Sequence, residues 1–212
     1  MNQEDLLSDA PAKKEISYNE EAMRKAVHVF SIVIPVCYLF LPRSIMLVVL
    51  LIASSVAVTI DLSRITGLAL WSKFLVKVLG SMIRPKEKEG FTGASYILST
   101  DFLVILLFDK PVAIAAIAYI ALGDTAAAMV GRRWGFHRYG DKSIEGSLAF
   151  FIVTAGAGIG FHYLYPGALP VIAAVAGAAV ATIVEAMTVR SDDNMTVPIV
   201  SGLFMQILIA FI

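Results

Sequence analysis

Long apolar runs, separated by short polar stretches, dominate the chain after residue 20. A membrane-spanning helix needs about 20 mostly apolar residues, and seven runs approach that length. The breaks at Pro42 and at residues 110–111, 165–167 and 192–194 contain residue types that favour turns. The pattern predicts seven transmembrane helices, over residues 24–41, 44–60, 91–108, 111–131, 144–164, 168–188 and 196–212.

Residues 66–84 have a different pattern, in which basic and apolar positions fall on opposite sides of a helix. Lys73, Lys77 and Arg84 recur at helical spacing on one side. The other side carries Trp71, Phe74, Leu75, Val78, Leu79 and Met82. This pattern is typical of a helix lying in the membrane interface; an eighth span or a re-entrant segment is the alternative. The predicted fold is all-α, a polytopic membrane helical bundle with about seven transmembrane helices plus one interfacial amphipathic helix.

Composition supports a membrane protein and excludes other classes. Hydrophobic residues make up 58% of the chain, above the roughly 45–50% of soluble domains. The formal net charge is zero, so no nucleic-acid partner is expected. A single cysteine, Cys37, excludes a disulfide framework. Residues 1–20 are predicted to form a polar cytosolic arm, and residues 21–212 a single integral-membrane catalytic domain.

The distribution of basic residues predicts the orientation. With the N-terminus in the cytosol, all but two of the 17 Lys and Arg residues fall on the cytosolic side. The exceptions are Arg43 and Lys110. Cytosolic segments of membrane proteins are enriched in Lys and Arg. The multi-pass chain is therefore expected to have its C-terminus on the outer side.

Asp124 is the strongest candidate for chemistry, because it lies inside an otherwise apolar helix. A carboxylate there costs on the order of 3 kcal/mol or more, so it should face the bundle or a water-filled pocket. Asp124, Ala128 and Gly131 share one helical face, where small residues allow close approach of a helix or ligand. The alternative is a structural acid that pairs with an arginine and locks helices together.

The loop after this helix is basic and contains glycines. Arg132, Arg133 and Lys142 precede Ser143, a candidate N-cap, with Glu145 in the first turn of the next helix. A helix N-terminus offers backbone N–H groups to anions, and glycines allow close backbone approach to phosphate. The loop is thus a candidate phosphate-binding segment, or an ordinary positive-inside loop.

Two further clusters fall on the predicted cytosolic side. Arg24, Lys25 and His28 share one side of the first helix, where they could bind substrate or anchor headgroups. Glu185 lies in the last turn of the sixth helix, and an acidic stretch with Asp193 follows it. Mg²⁺ in nucleotide sites uses one or two carboxylates plus waters and phosphates. Asp124 with Glu185 or Asp193 could provide them, although Asp193 could equally belong to a solvated turn.

Four segments together resemble a known family. "ALGDTAAAMVGRRWG" followed by "DKSIEG" resembles the core of the CTP-dependent lipid kinases, namely dolichol kinase, phytol kinase and yeast-type diacylglycerol kinase. "RKAVHVF", "GFTGASYILST" and "VEAMTVRSDDNMTVPIVSG" resemble, in order, further family segments. The CDP-diacylglycerol synthases share this core more distantly. The chain lacks their longer C-terminal motif, so the kinase branch is favoured.

The resemblance implies roles for individual residues. Asp124 would be an essential acid, a metal ligand, and Gly131 would belong to the same motif. The loop assigned to CTP would comprise Lys142, Ser143, Glu145 and Gly146. Arg24 and Lys25 would be the required basic pair, and Asp193 and Asn194 the acidic turn.

The expected function is CTP-dependent phosphorylation of the hydroxyl of a membrane lipid alcohol, at the cytosolic face and with Mg²⁺. Polyprenol, phytol and diacylglycerol are all possible acceptors. In this scheme Arg132, Arg133 and Lys142 would neutralise charge on the phosphates, and His28 or a carboxylate would accept the hydroxyl proton. The alternatives are a phosphatidate cytidylyltransferase and a non-enzymatic membrane transporter or scaffold. Preference for CTP follows from the resemblance alone.

Overall fold

A computed structural model describes residues 30–67, 90–188 and 193–212 of the chain. Within them lie seven helices and one short hairpin. The helices are α1 (Val33–Phe40), α2 (Arg43–Ile65), α3 (Gly93–Leu107), α4 (Lys110–Trp134), α5 (Ile144–Leu164), α6 (Val171–Met187) and α7 (Asp193–Phe211). The antiparallel hairpin pairs β1 (Arg138–Tyr139) with β2 (Lys142–Ser143).

The helical character of the fold is confirmed. Helices α2, α4, α5 and α7 are each long and apolar enough to cross a membrane. Helices α3 and α6 are apolar but shorter, with 15 and 17 residues. Four candidate spans are therefore present among the described residues, fewer than the seven predicted from hydropathy. The arm over residues 1–20 and most of the predicted interfacial helix, residues 68–84, lie outside the described residues.

Several boundaries differ from the predicted ones. Helix α2 continues to Ile65 because Asp61 and Arg64, near its end, bond to each other and to the start of α3. Helix α7 begins at Asp193, so this residue lies in a first helical turn rather than in a predicted turn between helices. An acid is favourable there because it faces the positive end of the helix dipole. The basic loop contains a hairpin that the sequence did not predict.

Helix α4 lies at the centre of the bundle and packs against α5, α7, α1, α3 and α6. Its buried positions are mostly alanine and isoleucine, and Gly123 admits the ring of Phe150 from α5. Tyr119 reaches α6, where its hydroxyl donates to the carbonyl of Ala174 at 2.8 Å. Small side chains on α4 thus allow neighbouring helices to pack closely around it.

The bundle has two distinct ends. At the first, Gln206 of α7 donates to Asp109, which precedes α4, at 2.7 Å. Lys110 donates to the carbonyls of Leu39 and Leu41 at 3.2 and 3.1 Å. The second end, where α2, α4 and α6 finish and α3, α5 and α7 begin, carries the candidate site residues described below. We call it the site end.

Asp61 joins α2 to α3 at the site end. This carboxylate is 2% exposed and accepts hydrogen bonds from the Thr92 backbone (2.7 Å), the Thr92 hydroxyl (2.9 Å) and the Ser95 hydroxyl (2.6 Å). Arg64 lies 3.1 Å from the other carboxylate oxygen. Asp61 therefore caps α3 from a neighbouring helix. The sequence did not predict this role. The available signal was an acid and a base three residues apart, Asp61 and Arg64, followed by hydroxyl residues at the start of the next helix.

Candidate active site

A close helix contact at the site end fixes the base of the candidate site. Gly131 of α4 faces Gly146 of α5, and a Cβ built on Gly146 would lie 2.9 Å from the Ala127 carbonyl oxygen and 3.4 Å from the Gly131 Cα. A Cβ built on Gly131 would lie 2.9 Å from the Ser143 Oγ. The two glycines let α4, which carries Asp124, approach the first turn of α5.

The predicted N-cap of α5 is confirmed. The Ser143 Oγ accepts a hydrogen bond from the Gly146 N–H at 3.1 Å, and Glu145 lies in the first turn. Glu145 accepts from the His137 backbone at 3.2 Å and lies 2.7 Å from the His137 Nδ1. Glu145 thus holds the loop against the start of α5. Its bonds to His137 occupy a carboxylate that the resemblance assigns to the CTP loop.

Lys142 extends from the hairpin to the end of α6. Its Nζ lies 2.6 Å from the Glu185 Oε1 and also donates to the Glu185 backbone carbonyl. Glu185 is buried, with 5% of its side chain exposed, whereas Lys142 retains 23%. The Glu185 Oε2 has no hydrogen-bond partner among the described residues. Lys142 therefore holds Glu185 in place while leaving one carboxylate oxygen available to a ligand.

Two other predicted acids lie close to Glu185. The negative charges of Asp193 and Asp124 both act on the Glu185 carboxyl group. Asn194, the next residue of α7, is buried. The fold thus brings Asp124 of α4 and Asp193 of α7 within electrostatic range of Glu185 of α6, although Asp124 and Glu185 are 61 residues apart in the sequence. Lys142 is the neighbouring cation.

These carboxylates fit a magnesium ion better than a cation held entirely by protein. Among the described ranges, no three His, Cys, Asp or Glu side chains are arranged to hold a metal ion by themselves. Mg²⁺ retains several waters and is held by one or two carboxylates together with substrate phosphates. The available Glu185 Oε2 and the nearby Asp124 and Asp193 match that requirement.

The remaining predicted residues have other locations. Arg132 and Arg133 are exposed at the end of α4, and the Arg133 guanidinium lies 5.1 Å from the centre of the Trp134 ring. Both arginines adjoin the site but do not lie beside Glu185. Arg24, Lys25 and His28 lie outside the described residues, so their predicted role stays a prediction.

Breaking the Lys142–Glu185 pair from either side should destabilise the fold. Removing one partner of a buried ion pair typically costs about 3–5 kcal/mol, because the other charge is left uncompensated. We expect Lys142→Met and Glu185→Gln each to lower the melting temperature of the detergent-solubilised protein. The double variant should be more stable than the sum of the two losses predicts. Strictly additive losses would show that the pair does not form.

Comparisons with known proteins show which proteins the chain is similar to. The chain is 30% identical over 158 residues to the CTP-dependent diacylglycerol kinase 1 of Eremothecium gossypii, covering 64% of this chain and 50% of that protein. It is 36% identical over 117 residues to the phytol kinase of a Synechocystis species, covering 51% of this chain and 50% of that protein. An uncharacterised protein of Rickettsia prowazekii is 28% identical over 191 residues, with 88% and 93% covered.

The chain is thus similar, over 51–65% of its length, to proteins named CTP-dependent diacylglycerol kinase and phytol kinase. The chain spans about half the length of the Eremothecium and Synechocystis kinases. No family model matches the chain. No solved structure matches it either.

Proposed function

We propose that the protein transfers the γ-phosphoryl group of CTP to the hydroxyl of a membrane lipid alcohol. The observation that carries the proposal is the convergence of Asp124, Glu185 and Asp193, from three helices, beside Lys142 at one end of an apolar bundle. Phosphoryl transfer depends mainly on positioning and on stabilisation of phosphate charge. The names of the kinase relatives agree with this chemistry.

The chain's own residues have separable roles in this proposal. One or two of the carboxylates of Asp124, Glu185 and Asp193 would hold Mg²⁺, which would supply positive charge to neutralise the phosphates. Lys142 would orient Glu185. Gly131, Ser143, Gly146 and Asn194 would shape the nucleotide side, with Glu145 closing the loop. Arg132 and Arg133 would attract the anionic nucleotide from the exposed side.

The lipid hydroxyl would reach the site from the bilayer. Because Asp124 lies ten residues inside the Trp134 end of α4, its level is about 15 Å along the helix from that end. A lipid alcohol could therefore reach the acids without leaving the bilayer. Arg24, Lys25 and His28 would face this hydroxyl, and the site would open to the cytosol.

The products of the reaction test the proposal. Full-length protein in mixed micelles is incubated with Mg²⁺, CTP labelled in its γ-phosphate, and a panel of lipid alcohols. We expect label in a phosphorylated lipid and release of CDP. Release of pyrophosphate with formation of a CDP-lipid from phosphatidate would establish a cytidylyltransferase instead. Absence of transfer to every lipid would contradict an enzymatic role.

A further inference from the structure

Asp101 of α3 is a buried acid that the proposed mechanism leaves unused. It is 2% exposed, and its Oδ2 has no hydrogen-bond partner within residues 30–67, 90–188 and 193–212. In the same ranges no cationic side chain forms an ion pair with it. An unsatisfied buried polar group of this kind requires an explanation.

The depth of Asp101 can be read from the helix contacts at the end opposite the site. Phe108, directly after α3, packs its ring against Gly202 of α7, so these residues lie at the same level of two helices that both begin at the site end. Asp101 precedes Phe108 by seven residues and Asp193 precedes Gly202 by nine, which correspond to about 10.5 and 13.5 Å along a helix. Asp101 is thus about 3 Å deeper than Asp193.

The difference in depth is larger when Asp101 is compared with Asp124 of α4. Asp109 and Lys110 are adjacent residues at the end of the bundle opposite the site. Asp124 lies 14 residues from Lys110, and Asp101 lies eight residues from Asp109. These separations correspond to about 21 and 12 Å. Asp101 therefore lies about 3–9 Å deeper in the apolar bundle than the acids of the site. Phosphoryl transfer takes place at the site acids, so a group at this depth would contact a part of the lipid below its hydroxyl.

The chemistry of Asp101 limits what it can bind there. An ionised carboxylate without a cation costs several kcal/mol in an apolar interior, so the neutral acid is favoured. A neutral carboxyl group has one O–H donor. Its natural ligand is an uncharged acceptor. A diacylglycerol has ester carbonyls about 4–7 Å from its free hydroxyl by covalent geometry, whereas a prenol has only carbon and hydrogen at that depth.

We propose that Asp101 is a lipid-binding residue that donates a hydrogen bond to an ester carbonyl of an acylglycerol, making the site selective for acylglycerols over prenols. The inference rests on the proposed lipid kinase function. It depends on two features of Asp101, namely its unpartnered carboxyl group and its depth below the carboxylates of α4, α6 and α7. Asp101 contacts the substrate away from the reacting atoms, so it affects lipid binding more than the transfer step.

Three acceptors that differ below the hydroxyl test this assignment. The full-length protein is assayed in mixed micelles with a 1,2-diacylglycerol, the matching ether-linked dialkylglycerol and a long-chain prenol. The ether analogue retains the shape and the hydroxyl of the diacylglycerol but lacks the carbonyls. We expect the unmodified protein to have about a tenfold lower KM for the ester than for the ether, as one hydrogen bond of typical strength gives.

Two variants complete the test. Asp101→Leu should raise the KM for the ester about tenfold and leave kcat and the ether KM unchanged, whereas Asp101→Asn should retain the preference because its amide still donates. Equal KM values for ester and ether in the unmodified protein would overturn the inference but would not contradict the kinase proposal. Equal loss on all three acceptors in Asp101→Leu would also overturn it. Failure of the unmodified protein on every acceptor would overturn both proposals.

Discussion

Asp124→Asn should nearly abolish phosphoryl transfer to lipid alcohols, by a factor on the order of 10³, as for loss of a key electrostatic group. Asparagine has nearly the shape of aspartate but no negative charge, so the bundle should assemble while the grouping with Glu185 and Asp193 loses one charge. The measurement is transfer of label from CTP by purified protein. A second readout is the rise in melting temperature on adding Mg²⁺ and CTP, which the variant should lose.

A matched substitution at the other end of the same helix provides the control. Asp109, the residue before α4, bonds to Gln206 far from the site. Asp109→Asn makes the same change of charge and should retain turnover within about twofold, because surface and helix-end changes have small effects. Full turnover in Asp124→Asn would remove the proposed role of this acid in binding Mg²⁺. Equal loss in both variants would indicate a general effect on folding.

The sequence predicted those features that depend on local pattern. Apolar runs predicted most helices within a few residues, and Ser143 was recognised as an N-cap from its place before an apolar helix. The same kind of reasoning makes Asp124 a candidate, because a carboxylate in an apolar helix is costly, and its role stays a prediction. Each of these inferences used only neighbouring residues, whose interactions follow from helix geometry.

Features that depend on long-range contacts could not be predicted in this way. Lys142 and Glu185 are 43 residues apart, and nothing local to either residue indicates that they pair. The sequence therefore assigned Lys142 to phosphate, whereas the fold directs it to Glu185. Asp61 likewise bonds across 31 residues to Thr92. Whether a buried acid such as Asp101 pairs with a base on another helix likewise depends on long-range contacts, and within the described residues no base pairs with it.

Gly146→Ala should destabilise the bundle and impair catalysis, although it adds only one methyl group. The added Cβ would lie 2.9 Å from the Ala127 carbonyl oxygen and 3.0 Å from the Ser143 Oγ. Contacts this short force α5 away from α4, and overpacking of this kind typically costs about 1–3 kcal/mol. The same displacement would weaken the Ser143 cap and move the hairpin that carries Lys142. We expect a lower melting temperature and a loss of turnover larger than the loss of folded protein.

Gly156→Ala, in the same helix, separates this packing effect from the general effect of replacing a helical glycine. A Cβ at Gly156 meets no atom within 4 Å, and alanine is favoured over glycine in helices by about 1 kcal/mol. This variant should therefore be as stable as the unmodified protein or more so, with full activity. If Gly146→Ala behaved in the same way, α4 and α5 would not approach each other at this point. Asp124 would then lack the close contact that sets its position relative to the hairpin.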